Sequence, residues 1–289
     1  MKYAWIKEHS DRYPVARLCR LLQVSRSGYG QWRSRPPSDR ALANAALDAQ
    51  IATIHAERRQ SYGRPRILRE LGHHGIQAGH ERVRRSLKRP SLRPIYKRAY
   101  RVTTDSRHGK PVAENVLDRR FDGWATNPAG VADITYILTG EGWLYLACVL
   151  DLGSRRIVGW SMSERMKASL VCDALTMAYW RRKPGAGLIM HSDRGVQYAS
   201  DAHRKLIKEY RMIQSMSRKA NCWDNSVMES FFKTLKVERI HRLRYETRAQ
   251  ARLDWVDWME GFYNSQRLHS SIDYPSPTAF ERSTTAAKA

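Results

Sequence analysis

Cysteine is scarce in this chain. Among 289 residues only Cys19, Cys148, Cys172 and Cys222 are cysteine, far apart and without a C-x-x-C pair. That argues against a disulfide scaffold or a zinc ribbon and for a reducing, intracellular compartment. The ten histidines also lack zinc-finger spacing. Acidic residues are few, 28 Asp and Glu against 51 Lys and Arg, a net charge of +23 with histidine neutral. No apolar run nears the roughly 18 residues that cross a bilayer, and Met1-Lys2-Tyr3-Ala4-Trp5 opens no signal-peptide core. A membrane partner is therefore not expected. Core-forming material is plentiful: 42% of residues are hydrophobic, with nine Trp and fourteen Tyr, so the charge is no sign of disorder. The length is about twice the common domain size and implies two or more folding units.

The positive charge is concentrated. Residues 1–120 hold 27 Lys/Arg against 10 Asp/Glu, and residues 121–289 hold 24 against 18. A polyanion should meet the N-terminal part, because each phosphate neutralised by Arg or Lys releases a counterion. Charge alone does not separate DNA from RNA or from an acidic membrane surface.

Residues 1–37 read as a helix-turn-helix-like DNA-binding segment. Val15, Leu18, Cys19 and Leu22 form one apolar stripe, Gln23-Val24-Ser25 makes a break, and Ser25 can cap a second helix carrying Tyr29 and Trp32. Arg26 and Arg33 face outward as candidate DNA contacts, since the second helix of such a pair enters the major groove. A packing-only helix pair fits the pattern equally well. Arg35-Pro36-Pro37-Ser38 breaks the chain, and residues 38–92 read as a second helical DNA-binding domain. There Ala41–Glu57 is one helix, a second runs from Tyr62-Gly63-Arg64-Pro65-Arg66 through Leu71, Gly72–Gly79 is a turn, and Glu81–Lys88 is a basic helix. Arg64, Arg66, Arg82, Arg84 and Arg85 are its candidate DNA contacts. Residues 93–120 are rich in arginine, hold Pro94 and Pro111, and read as an extended basic linker arm.

The texture changes near Phe121. Gly130–Ile137, Trp143–Asp151 and Arg156–Met162 read as strands by their β-branched and aromatic content, joined by short glycine-containing turns into a meander. Helix, strand, helix, strand and a long helix follow, at Ser169–Trp180, Leu188–Ser192, 200–210, Met212–Ser217 and 224–240. This order predicts an α/β fold: a ribonuclease H-like catalytic core over residues 121–240, a mixed five-stranded sheet with helices, preceded by all-α helix-turn-helix-type domains. Residues 241–289 read as a C-terminal helix and tail packing on the core.

Three carboxylates fall at telling places in that order. Asp133 is mid-strand, where a charge is costly unless it faces an opening. Asp193 follows a buried strand, and Glu229 lies in the first turns of the long helix. Hard divalent cations take a few carboxylates, with water and phosphate completing the shell. A pair of such ions activates the attacking oxygen and stabilises the leaving one in phosphodiester chemistry. Each acid also has a structural alternative. Asp133 can begin a turn, Asp193 can be a β-turn residue, and Ser226-Val227-Met228-Glu229 reads as a capping box with Lys233 as an i+4 ion-pair partner. At 100° per residue Glu229, Lys233 and Lys236 share one polar stripe opposite Val227, Met228, Phe231 and Leu235.

Together the blocks His191-Ser192-Asp193-Arg194-Gly195 with Gln197-Tyr198, and Asp224-Asn225 with Glu229-Ser230-Phe231-Phe232 and Leu235-Lys236, resemble the retroviral-integrase-type DDE transposases of bacterial insertion sequences. More narrowly the chain is similar to the second-frame (OrfB) products of the family named for insertion sequence three. Asp133 in Ala132-Asp133-Ile134-Thr135-Tyr136 matches the first acid, and the tail from Phe262 to Ser271 with Tyr274-Pro275-Ser276-Pro277 matches the C-terminal signature. Ser61-Tyr62-Gly63-Arg64-Pro65-Arg66 resembles the family's upstream helical domain. The resemblance covers most of residues 41–282. It departs at the first acid, where Val131-Ala132 precede Asp133 and the nearest tryptophan is Trp124.

The resemblance implies metal-dependent 3′-end cleavage and strand transfer, with Asp133, Asp193 and Glu229 as catalytic residues holding Mg²⁺ or Mn²⁺, two ions in all. Lys236, and less firmly Lys233, would touch the DNA. Expected partners are double-stranded DNA, both element ends and target, further copies of the chain on paired ends, and a first-frame product or fusion. A bacterial cytoplasmic, nucleoid-associated location follows. Two other readings stay open: a structure-selective nuclease of the same fold, and a non-catalytic DNA-binding regulator derived from a transposase.

Overall fold

A computed structural model of the chain describes residues 1–89, 92–94, 110–219 and 221–286. Most of the linker arm, residues 95–109, lies outside the described residues.

The chain opens with three short helices, α1 (Lys2–His9), α2 (Val15–Leu21) and α3 (Arg26–Ser34). Gln23, at φ 51°, turns the chain between the last two. The Ser25 hydroxyl caps α3, accepting from the Gly28 N–H at 3.3 Å. Helix α1 was not expected: it carries no apolar stripe, and only Ile6 is buried. That one residue completes a separate miniature core with Leu18, Cys19 and Tyr29.

A second helical unit follows, α4 (Asp39–Glu57), α5 (Arg64–His73) and α6 (His80–Lys88). Ser38 caps α4, accepting from Ala41 N–H at 3.3 Å, and α5 runs two residues beyond the expected Leu71. Leu47, Ile51, Ile54, Ile67, Leu71 and Val83 belong to the same apolar cluster as one face of the sheet. The unit is tied to the C-terminal segment as well. Tyr62 Oη accepts from Leu268 N–H at 2.7 Å, and Arg59 pairs with Asp257 at 2.8 Å.

The sheet has five strands in the order β3-β2-β1-β4-β5. They are β1 (Ala129–Thr139), β2 (Gly142–Asp151), β3 (Ile157–Ser163), β4 (Ile189–Ser192) and β5 (Ile213–Met216). The first three form the antiparallel meander, and β4 and β5 add in parallel beside β1. The near-continuous apolar run of β2 has a simple cause, burial on both faces. Leu144, Leu146, Cys148 and Leu150 enter one core, while Ala147 and Val149 enter the other. Helices α7 (Ala168–Arg182) and α8 (Asp201–Glu209) cover the second face. Gly159 lets β3 approach α7, since a Cβ there would lie 2.2 Å from the Ala174 carbonyl oxygen.

The first face is covered by α9 (Ser226–Glu238), by α10 (Arg248–Val256), and by the π-helical turn Asp257–Asn264 that prolongs α10. Trp255, Trp258, Phe262 and Tyr263 are fully buried there, and the Tyr263 hydroxyl donates to the Arg155 carbonyl at 3.1 Å. Helix α11 (Pro277–Ala286) closes the described chain. The architecture is that of an integrase catalytic core, a mixed five-stranded sheet between helical layers, behind an N-terminal helical region.

Candidate active site

Asp133 lies in the middle of β1, opposite Cys148 of β2, on the sheet face that α9 covers. The parallel pairing of β1 with β4 sets Ala132 beside Ser192, so Asp133 and Asp193 each follow one member of an aligned pair. Asp133 keeps some solvent access, yet protein packed around it desolvates the carboxylate and pushes its pKa well above the ordinary range. The charge of Asp193 pushes the same way, and that of Glu229 adds to it. Opposing them, Ile134 N–H donates to Asp133 Oδ1 at 2.7 Å, and the charge of Lys236 also favours the ionised form.

Asp193 also makes the turn that its sequence context allowed: Oδ1 accepts from Gly195 N–H at 2.9 Å. A Cβ at Gly195 would lie 2.9 Å from that oxygen, so the glycine keeps the carboxylate where it is. Tyr198 stands close by. Its buried hydroxyl has no partner, and burial, then Asp133 and Asp193, raise its pKa well above the phenol range.

Glu229 is half-buried in the first turns of α9, and burial alone raises its pKa. The capping-box expectation fails here. Asn225 is the cap residue and makes no side-chain capping bond, while Ser226 is already helical. Glu229 is thus one position too far along to reach back to the cap, and its carboxylate is free of that duty. Nor does an ion pair join it to Lys233 among the described residues. Lys233 is exposed, whereas Lys236 is half-buried with Nζ 5.6 Å from the centre of the Tyr136 ring. Burial lowers the Lys236 pKa and Asp133 opposes the shift.

The three acids therefore share one electrostatic site, arranged as a pair plus one. Among the described residues no three acid, histidine or cysteine side chains stand close enough to hold one ion together. Chemically the donor set is hard oxygen, and the surplus of negative charge over the single lysine fits a cation. His191 is not part of that set. It is fully buried, its Nδ1 2.8 Å from Ser215 Oγ and its Nε2 3.2 Å from Ser217 Oγ, and burial pushes it down to about 4. The two hydroxyls hold the ring, and a backbone hydrogen bond at Asp224 opposes the downward shift.

Two residues beside the site carry more than their sequence context revealed. Asp224 is fully buried and accepts from Arg218 N–H and Nε, both at 2.9 Å, from Arg119 Nε at 2.7 Å and from Asn115 Nδ2 at 3.0 Å. These donors, Arg218 foremost, hold its pKa far below the carboxylate range. The end of the expected linker arm is thereby part of the core: Leu117 is fully buried and its N–H donates to Ser215 Oγ at 3.1 Å. Asn225, next in sequence, donates from Nδ2 to the Ala132 carbonyl at 3.2 Å. It links the start of α9 to the residue before Asp133. An Asp-Asn pair four residues before Glu229 was the available signal.

The candidate DNA contacts divide. Arg26, Arg33 and Arg64 are exposed. Arg84 and Arg85 pair with Glu81 of their own helix at 3.1 and 3.4 Å, both partners exposed, which is a weak restraint. Two more have partners within the chain: half-buried Arg66 donates from Nε to the Leu268 carbonyl at 2.9 Å, and exposed Arg82 donates to Asn44 Oδ1 and the Ala43 carbonyl, both at 3.1 Å.

Compared with known proteins, the chain is 41% identical over 283 residues to the transposase InsF for insertion sequence IS3A of Escherichia coli (strain K12), covering 97% of this chain and 98% of that protein. This chain belongs to the IS3 family of transposases. A 31 kDa protein of insertion element IS600 from Shigella sonnei is 43% identical over 263 residues, 91% of this chain and 97% of its own length. As an IS3-family transposase the chain is an enzyme that acts on DNA. An integrase core domain matches residues 127–222, which hold Asp133 and Asp193, and a second integrase core match spans 210–277, which hold Glu229 and Lys236. An HTH-like domain matches residues 41–100, the region of α4 to α6. A solved simian T-cell lymphotropic virus intasome aligns with 80% of this transposase and 73% of its own chain, at TM-score 0.45 and 16% identity.

Proposed function

We propose that Asp133, Asp193 and Glu229 are the catalytic acids of this transposase and that they bind two hard divalent cations, Mg²⁺ or Mn²⁺. The observation that carries the reading is the juxtaposition of Asp133 and Asp193 at the ends of an aligned pair on adjacent parallel strands, on the face covered by the helix that bears Glu229, with the charges of Asp193, Glu229 and Lys236 all felt at Asp133. When bound, such ions activate the attacking oxygen and stabilise the leaving one at a phosphodiester.

The chain's own residues do the rest. Asp133 and Asp193 form the standing pair of ligands, and Glu229, with three rotatable side-chain bonds, closes onto it. Asn225 keeps the start of α9 against β1 so that this closure is short. Lys236 sets a positive charge for the scissile phosphate beside Asp133. Tyr198 is no rival nucleophile, because its phenol is buried and its pKa is pushed upward. A direct in-line attack by water, and then by the freed 3′-OH, needs no covalent protein–DNA link. Duplex DNA is then held by Arg26 and Arg33 on α3, by Arg64, Arg84 and Arg85, and by Lys233. Pairing of two element ends calls for more than one copy of the chain.

The test is a strand-transfer assay on linear duplexes that carry the element ends, with Mg²⁺ or Mn²⁺. Joined products support the proposal. Cutting without joining would favour a structure-selective nuclease, and binding alone a regulator.

A further inference from the structure

To one side of the acid-bearing stripe of α9 there is a cavity of about 340 Å³. The helix contributes Ser226, Ser230 and Thr234 to it. These lie within about 80° of one another on the helix, and their centre is about 90° from that of the Glu229, Lys233 and Lys236 stripe. Opposite them stand Arg155, from the turn between β2 and β3, and Arg267 and His269, from the segment after the π-helical turn.

Arg155 is the unusual member. It is a non-glycine residue at φ 60°, a backbone region that disfavours L side chains, and it is only 5% exposed. Its guanidinium donates to the Phe121 carbonyl at 2.8 Å and to Asp122 Oδ1 at 2.6 Å, but Nε is buried and has no partner among the described residues. A buried guanidinium N–H left unsatisfied is costly unless something fills the place. Asp122 also lines the cavity, yet its side chain is 82% exposed and compensates Arg155 from the solvent side. Arg267 is 5% exposed and forks onto Glu238 at 2.9 and 2.7 Å. The His269 ring accepts or donates at Nδ1 with Ser271 Oγ at 2.9 Å, leaving Nε2 outside that bond. The field in the cavity is positive: after burial, the charges of Arg267, Arg155 and Arg66 push His269 down to about 3.

We infer that this cavity is an oxyanion site that takes one phosphate group, bound by Arg155 and Arg267 with the hydroxyls of Ser226 and Ser230 completing its shell, while Thr234 Oγ1 donates to the Ser230 carbonyl at 2.9 Å and only lines the wall. Two arginines and two hydroxyls converging on one volume match the tetrahedral acceptors of phosphate better than they match a carboxylate or an apolar ligand. A DNA backbone phosphate and free inorganic phosphate present the same chemistry. In either case the site lies on the helix that carries Glu229, about a quarter turn around it, so an occupied cavity would hold α9 from the side.

The test uses the full chain without divalent cations, so it does not depend on the proposed acid triad. Wild type, Ser230→Asp and Arg155→Met are titrated with inorganic phosphate by calorimetry and thermal shift. Ser265→Asp is the control, placing the same charge at an exposed position outside the cavity. Wild type and Ser265→Asp should bind phosphate saturably, and Ser230→Asp should lose about tenfold or more through like-charge repulsion. Ser230 is exposed on a helix, so this variant remains informative even where Arg155→Met fails to fold. The same proteins are then titrated with a short duplex. Weaker duplex binding by Ser230→Asp than by Ser265→Asp assigns the site to the DNA backbone, and equal duplex binding assigns it to the free anion. Absence of saturable phosphate binding, or equal binding by wild type and Ser230→Asp, overturns the inference.

Discussion

Two carboxylates near the start of α9 meet opposite fates. Asp224 is fully buried and is met by two arginines, an asparagine and a backbone N–H, and its pKa falls. Asp133 on β1 is desolvated and crowded by Asp193 and Glu229, with the Ile134 N–H and Lys236 offsetting them in part, and its pKa rises. Both positions cost desolvation; only one is compensated within the chain. An acid whose partners are present serves the fold. One whose partners are missing is held ready for a charge that arrives with substrate or cofactor. The two are joined through Asn225, adjacent to Asp224 and bonded to the residue before Asp133.

The sharpest way to break this comparison is to neutralise Asp133. We expect Asp133→Asn and Glu229→Gln each to lower strand cleavage roughly 10³-fold, about 4 kcal/mol of lost transition-state stabilisation. Neither should lower the melting temperature in chelator, since neither carboxylate is paired with a cation at close range, and Glu229 has no capping role to lose. Added Mg²⁺ should raise the melting temperature of the wild type and leave that of Asp133→Asn unmoved. Melting of Asp133→Asn well below the wild type in chelator would put Asp133 in the same class as Asp224.

The complementary substitution is Asp224→Asn. It strands Arg119 and Arg218 and should cost about 2–3 kcal/mol in stability, measured by urea unfolding at pH 7. The sign with pH is definite. Because the folded pKa lies below the ordinary aspartate value of 3.8, the ionised carboxylate stabilises the fold above about pH 4, and that gain is lost as pH falls through the depressed value. The gap between wild type and Asp224→Asn should therefore be full at pH 7 and shrink below pH 4. A constant gap would mean that the asparagine lacks shape rather than charge.

What could be read from the residues alone follows the same division. The strands were legible because β2 is a nearly continuous apolar run and β1 is rich in β-branched residues, and the acids because each sits in a recognisable block. Helix α1 was not, since a single buried residue, Ile6, fixes it through contacts made by α2 and α3. The register of α9 was misjudged by one residue. Ser226 looks like a cap, but the pull of Arg218 and Arg119 on Asp224 shapes the preceding turn so that Asn225 takes that place. The internal partners of Arg66 and Arg82 were not legible, because Leu268 and Asn44 come from distant segments that no local pattern connects to them. The site's incomplete convergence is of the same kind: identity of the acids is local, while their separation depends on how α9 lies over β1.

The smallest effect separates the two lysines of α9. Lys233 is exposed, so Lys233→Ala should weaken duplex binding and reduce the slope of log affinity against log salt by about one phosphate contact, with cleavage at saturating DNA little changed. Lys236 is half-buried against Tyr136 and within the field of Asp133. Lys236→Ala should lower cleavage at saturating DNA about tenfold, roughly 1.4 kcal/mol, with a smaller change in the salt slope. Lys236→Arg restores the charge but brings a planar fork too wide for a point-charge position, so rescue should be incomplete. The decisive quantity is the pair of slopes. If both lysines shift the salt dependence equally and neither changes saturated cleavage, Lys236 is one more surface contact. The acid site would then have no cation of its own, and the contrast with Asp224 would be complete rather than partial.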